Sequence, residues 1–145
     1  RRVRSVQALT TPPGARRQVA CLRRDLNAAA HATGEAVAVV KAAGGILGDL
    51  PHLARRLGRV AATLDAELRL LAREPDLSEL ARVLPAARAR VAEVTRVALT
   101  IRRAASAGLG AATAAEIAPL EAEVEREVLA LDAGVDRLLA LASGI

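Results

Sequence analysis

The stretch LSELARVLPAARARVAEVTRVALTIRRAA, Leu77 to Ala105, decides the fold. Its apolar positions Leu77, Leu80, Leu84, Ala87, Val91, Val94, Ala98, Ile101 and Ala105 follow one another at alternating steps of three and four. With about 3.6 residues per turn, that spacing draws one apolar seam along one helix. A lone amphipathic helix is marginal in water, so other helices must cover the seam.

Three more stretches repeat the pattern. A first helix over 16–43 has the seam Val19, Leu22, Leu26, Ala29, Thr33, Ala36, Val40 and Ala43. A second over 50–73 uses Leu53, Leu57, Val60, Leu64, Leu68 and Leu71, with one four-plus-four step that leaves Glu67 at the core's edge. The central helix spans 76–107. A fourth, over 113–143, uses Ile117, Leu120, Val124, Val128, Leu131, Val135, Leu138 and Ala142, and leaves Glu127 outside by the same device. The connections are short, which makes successive helices antiparallel neighbours. The expected fold is all-α: an antiparallel up-down-up-down four-helix bundle with Ala-rich heptad seams. Residues 16–145 form the bundle, and residues 1–15 a flexible basic arm or linker ending in the breaker Thr11-Pro12-Pro13-Gly14.

Local signals refine the ends. Asp49 is a candidate cap, with Pro51 in the first turn behind it. Asp76 with Glu79, and Thr113 with Glu116, have capping-box spacing. Pro85 predicts a kink convex toward solvent, and Gly108-Leu109-Gly110 predicts the end of the central helix. Pro119 leaves two readings of the fourth helix open: an early kink, or a regular start near Ala118.

Composition bounds the function. A chain of 145 residues is about one domain, and its forty Leu, Ile and Val residues are far more than disorder allows. Thirty-five alanines favour helix and let helix axes approach closely. With no Phe, Tyr or Trp there is neither an aromatic cage nor a ring on which a base can stack. The single Cys21 excludes an internal disulfide and a multi-thiolate metal site. No run of about 18 apolar residues occurs; the closest, Ala28 to Leu47, is interrupted by His31, Glu35 and Lys41. Twenty arginines against one lysine is the usage of a GC-rich bacterial gene.

Charge is unevenly spread: +8 over residues 1–59, +2 over 60–110 and −5 over 111–145. In an antiparallel pair, Arg88, Arg90, Arg102 and Arg103 are expected beside Glu116, Glu121 and Glu123 of the fourth helix. Arg16, Arg17, Arg23 and Arg24 stand in the first turns of the first helix, where the helix dipole disfavours cations. Two readings explain them. Asp132 and Asp136 of the fourth helix answer them, or they form an anion-binding site for lipid or nucleic-acid phosphates. Arg1, Arg2 and Arg4 extend that site. The basic arm is either a solvated tail or the cytoplasmic flank of a membrane-spanning segment upstream of Arg1.

Reactive constellations are missing. His31 and Glu35 are four apart, and Asp49 precedes His52 by three, but both histidines fall outside the seams, whereas bundle metal sites project inward. No Glu-x-x-His occurs, and no glycine-rich phosphate loop with lysine. Cys21 lies among arginines, without a base or an oxyanion donor nearby in sequence. The expectation is a non-enzymatic scaffold or adaptor with no cofactor, no metal and no small-molecule substrate. It is cytoplasmic, with membrane association through whatever precedes Arg1, and acts on a protein partner or on itself. Leu99, Leu129 and Leu141, away from the seams, form its candidate partner patch. The alternative is a binding module for anionic membranes or nucleic acid.

Overall fold

A computed structural model describes residues 14–142, and the side chains of residues 14–134. Four helices make a bundle: α1 (Ala15–Ala42), α2 (Leu50–Ala72), α3 (Leu77–Gly110) and α4 (Ala114–Ala142). The described residues contain no strand.

Each end has a local cause. α1 closes with Gly44 at φ +78°, which a residue with a Cβ rarely adopts. The Gly45 N–H then donates to the Val40 carbonyl, and the Gly44 N–H to that of Lys41, satisfying two of the last carbonyls. Asp49 precedes α2 without a side-chain cap bond, and Pro51 stands in its first turn. The two predicted capping boxes each form by half. Asp76 Oδ1 accepts from the N–H groups of Ser78 and Glu79, but Glu79 turns to Arg82. At α4 the Glu116 carboxylate accepts from the N–H groups of Ala112 and Thr113, but the Glu116 N–H donates to the Thr113 carbonyl rather than to its hydroxyl.

α3 ends at Gly110, inside the predicted Gly108-Leu109-Gly110 stop, and Gly108 itself is still helical. The glycine serves a different purpose. Gly108 is buried where the α1–α2 connection crosses the helix, the Ile46 N–H donates to its carbonyl at 3.0 Å, and a Cβ there would overlap the Ile46 carbonyl. Pro85 and Pro119 both lie inside their helices, exposed, so α4 starts before its proline.

The core follows the seams and widens them. Every seam position of α3 is buried except Leu77, which is 58% exposed. Leu77 is the first residue of its helix. Val97, Ala104 and Gly108 join the buried set because α3 touches all three other helices. On α1 the buried line is Val19, Leu26, Thr33, Val37 and Val40; Ala43 is the exposed residue that ends the helix. Ile117, Val124 and Val128 are the buried residues of α4 among those described.

The helices are not equivalent. α1 makes its broadest contact with α3 and a second with α2; α4 packs on α2 and α3. Among the described residues, α1 and α4 do not touch.

Candidate functional site

Asp65 is the one charged side chain buried among the described residues, at 6% exposure. It sits one turn from Arg69 on α2, and faces Arg23 and Asn27 of α1. Arg23 Nε donates to Asp65 Oδ1 at 3.0 Å, Asn27 Nδ2 donates to the same oxygen at 3.3 Å, and Arg69 Nε lies 3.0 Å from Oδ2. Burial alone pushes the carboxyl up. The hydrogen bonds from Arg23 and Asn27 and the charges of Arg23 and Arg69 outweigh it, and hold Asp65 below the ordinary aspartate value. The carboxylate is therefore ionised and fully engaged: it clamps α1 to α2. Sequence reading missed it because Asp65 follows Leu64 as an ordinary neighbour of a seam residue; only the facing arginine marks it.

The candidate anion site is divided by this packing. Arg16 donates to the carbonyls of Ala72 and Glu74, both at 3.0 Å, closing the end of α2, and Arg23 belongs to Asp65. Arg17 and Arg24 remain exposed, with no ion pair among the described residues. Arg1, Arg2 and Arg4 lie outside the described residues. The expected answering acids are elsewhere: Asp132 pairs with Arg56 of α2, and the side chain of Asp136 lies outside the described residues. The reason is architectural, since among the described residues α4 does not reach α1.

The α3 arginines are likewise redirected. Instead of Glu116, Glu121 and Glu123, Arg88 finds Gln18 of α1, and Arg90 finds Glu67 of α2 at 3.1 Å. Arg102 Nη1 reaches Thr33 Oγ1 at 3.2 Å and the Ala29 carbonyl at 3.5 Å. Arg103 has no partner among the described residues. The broad α1–α3 contact draws these side chains across. Thr33 itself, 2% exposed, donates to the Ala29 carbonyl of its own helix and lies 3.4 Å from that of Ala98 on α3. The ion pair that does join α3 to α4 is Arg96 with Glu127, at 2.9 Å.

The remaining candidates stay apart. Leu99 and Leu129 are exposed on different helices, and neither lines the groove of Glu93, Arg96, Arg126 and Glu127 between α3 and α4; Leu141 lies outside the described side chains. His31 Nε2 is 3.7 Å from Glu35 Oε1, both exposed, and His52 and Cys21 are exposed as well. Among the described residues no three His, Cys, Asp or Glu side chains gather as a metal site, and no helix is long and apolar enough to cross a membrane.

One concavity has a distinct lining. A groove of about 390 Å³ runs between α1 and α2, where Ala30, Gly34 and Ala38 face Ala54 and Gly58. Lys41 and Arg55 border it, and neither has a partner among the described residues. No family model matches the chain, and no curated protein or solved structure proves similar to it.

Proposed function

We propose that the protein is a non-enzymatic helical-bundle scaffold or adaptor that acts through protein–protein contacts. One observation carries the reading. The polar side chains inside the bundle (Asp65, Thr33, Arg90 with Glu67) are spent on joining one helix to the next, while the unpaired charges and the small-residue groove face outward. Polar groups committed in this way fix which helix meets which.

The topology we attach to it is up-down-up-down. Arg16 at the start of α1 meets the end of α2, and Ile46 after α1 meets the end of α3, so α1 and α3 run together against α2. The heptad seams supply the rigidity such a scaffold needs. The test is covalent crosslinking in the source cell combined with sedimentation of the purified chain. A defined oligomer or a stoichiometric crosslinked partner is expected. A strict monomer that crosslinks to nothing removes the reading.

A second reading is favoured by Arg17 and Arg24, exposed on α1 two turns apart and unpaired among the described residues. It makes that face, with the basic residues before it, an attachment to acidic membrane lipid or nucleic acid in the cytoplasm. It predicts binding to phosphatidylserine vesicles or duplex DNA that falls steeply between about 50 and 200 mM salt. No binding at the lower salt, or unchanged binding after Arg17→Ala and Arg24→Ala, excludes it.

A further inference from the structure

α4 is joined to the bundle on one side, and its seat weakens along its length. The polar contacts inside the bundle lie among the other three helices: Arg23 with Asp65, Thr33 with the Ala98 carbonyl and with Arg102, and Arg90 with Glu67. α4 takes part in none of these, and among the described residues it does not touch α1. Lifting α4 away therefore leaves every contact of α1 with α2 and α3 in place.

The first half of α4 is fixed by Ile117, Val124 and Val128, all buried. Past Val128 the helix offers Ala130, Leu131 and Gly134, which leave a cavity of about 40 Å³ against Val60, Leu64 and Val94. A void forfeits the dispersion contacts of the atoms that line it. One turn earlier, Glu127 Oε2 is buried with no partner among the described residues, so docking α4 takes a carboxylate oxygen out of water without replacing its hydrogen bonds. The ion pairs that tie α4 down, Arg96 with Glu127 and Arg56 with Asp132, stand at its margins and regain water when it leaves. Residues 111–113 alone join α3 to α4, and Ala111 already has an extended backbone, with φ −76° and ψ 135°. Drawn straight, three residues span about 10 Å.

We propose, on the scaffold reading above, that α4 is an exchangeable helix: it leaves the α2–α3 face as a unit while α1–α3 stay folded, and seats on the same face of a second copy. The helix that fits this face is the one lying on it, and every other copy of the chain carries that helix. Release bares Val60, Leu64 and Val94 on one side and Ile117, Val124 and Val128 on the other, so both surfaces must be covered again. The exchange is reciprocal. A dimer made this way keeps each contact of the monomer, and only the course of residues 111–113 changes. Within one chain the short connection holds α4 near its seat at an effective concentration on the order of millimolar. The monomer is therefore the resting form, and the dimer grows in as the chain approaches that concentration.

Native-state hydrogen exchange of the full chain tests the release. The amides of α4 are expected to exchange through an opening that leaves those of α1–α3 protected. Gly134→Ala adds a methyl group where a Cβ meets nothing within 4 Å and removes glycine's helix penalty, so it slows α4 exchange up to about fivefold. Gly34→Ala, equally unobstructed on α1, slows α1 exchange and leaves that of α4 as it was. If Gly34→Ala slows α4 by the same factor as α1, α4 opens only with the whole bundle and the proposal falls. A shortened hinge tests the second seat. Removing Ala111 and Ala112 leaves one residue between the helices, fewer than the roughly two to eight that join helices in bundles. α4 then reaches only the face of another copy, and sedimentation is expected to give a dimer with the helix content of the original protein. A monomer whose α4 amides are unprotected, or a mixture of larger species, overturns the exchange. Neither failure touches the scaffold reading, whose own test is the oligomer or crosslinked partner of the unaltered chain.

Discussion

Along the α1–α3 contact backbone and the short Thr33 side chain take part in most of the hydrogen bonds: Thr33 against the Ala98 carbonyl, Arg102 against Thr33 and Ala29, and, just beyond α1, Ile46 against Gly108. α4 is held differently. Ile117, Val124 and Val128 supply its buried surface, roughly 1.5–3 kcal/mol each, and ion pairs at the boundary, Arg56 with Asp132 and Arg96 with Glu127, set its register. The first contact depends on the absence of atoms, the second on their presence. A close backbone approach tolerates no added methyl, whereas a boundary ion pair tolerates much.

The sharpest contrast is between two glycines of the same bundle. At Gly108 the helix gains from alanine's better propensity but loses more to the overlap with Ile46, for a net cost of about 2 kcal/mol. At Gly34, where the added Cβ meets nothing, Gly34→Ala stabilises by up to about 1 kcal/mol. Urea midpoints with unchanged slopes measure both. Equal effects at the two positions would mean that Ile46 gives way freely, and that the close approach is no constraint.

Asp65 comes next. Removing its carboxylate leaves Arg23 and Asn27 without their acceptor, and Asp65→Ala costs about 2 kcal/mol; Asp132→Ala, at the half-exposed boundary of α4, costs under about 1 kcal/mol. The pH dependence has a definite sign. The folded carboxyl lies below its unfolded value of about 3.9, so its stabilisation is complete above that pH and is lost as pH falls through it toward the native value. The gap in unfolding free energy between the protein and Asp65→Asn is therefore constant near neutrality and narrows below about pH 4. A gap that persists in acid would assign the clamp to packing.

How far the chain announced this depends on what kind of signal each residue carries. Leu80, Leu84, Val91, Val94 and Ile101 lie where apolar periodicity puts them, because burying a stripe needs only that some helix cover it. Which helix does so is not written in the stripe. Arg16 and Arg23 find partners on α2, and Arg88 and Arg102 on α1, rather than acids of α4, since α1 packs on α2 and α3 and, among the described residues, does not touch α4. Gly108 reads as a helix stop in one dimension and as a crossing point in three. Asp65 is silent in sequence because its meaning lies on another helix.

Thr33 tests the α1–α3 contact more gently. Thr33→Val keeps the shape and removes a hydroxyl that donates to Ala29 and accepts from Arg102, so the loss is about 1 kcal/mol, read as a lowered urea midpoint. Arg102 is only half-buried and recovers water, which keeps the cost from being larger.

The smallest effect expected is the most informative about α4. Glu127 accepts from Arg96 through Oε1, while its Oε2 is buried with no partner among the described residues, so the pair carries a desolvation cost along with its attraction. Arg96→Met alone leaves that carboxylate with neither oxygen bonded, and lowers stability by about 1 kcal/mol. Adding Glu127→Met removes the buried charge, and replaces two polar ends with unbranched apolar ones at a helix boundary already lined by Ala130 and Leu131. The double variant should then return to within about 0.5 kcal/mol of the original protein, or exceed it. If it instead loses the sum of the two single effects, the ion pair is what keeps α4 in place, and α4 is seated by charge rather than by Ile117, Val124 and Val128.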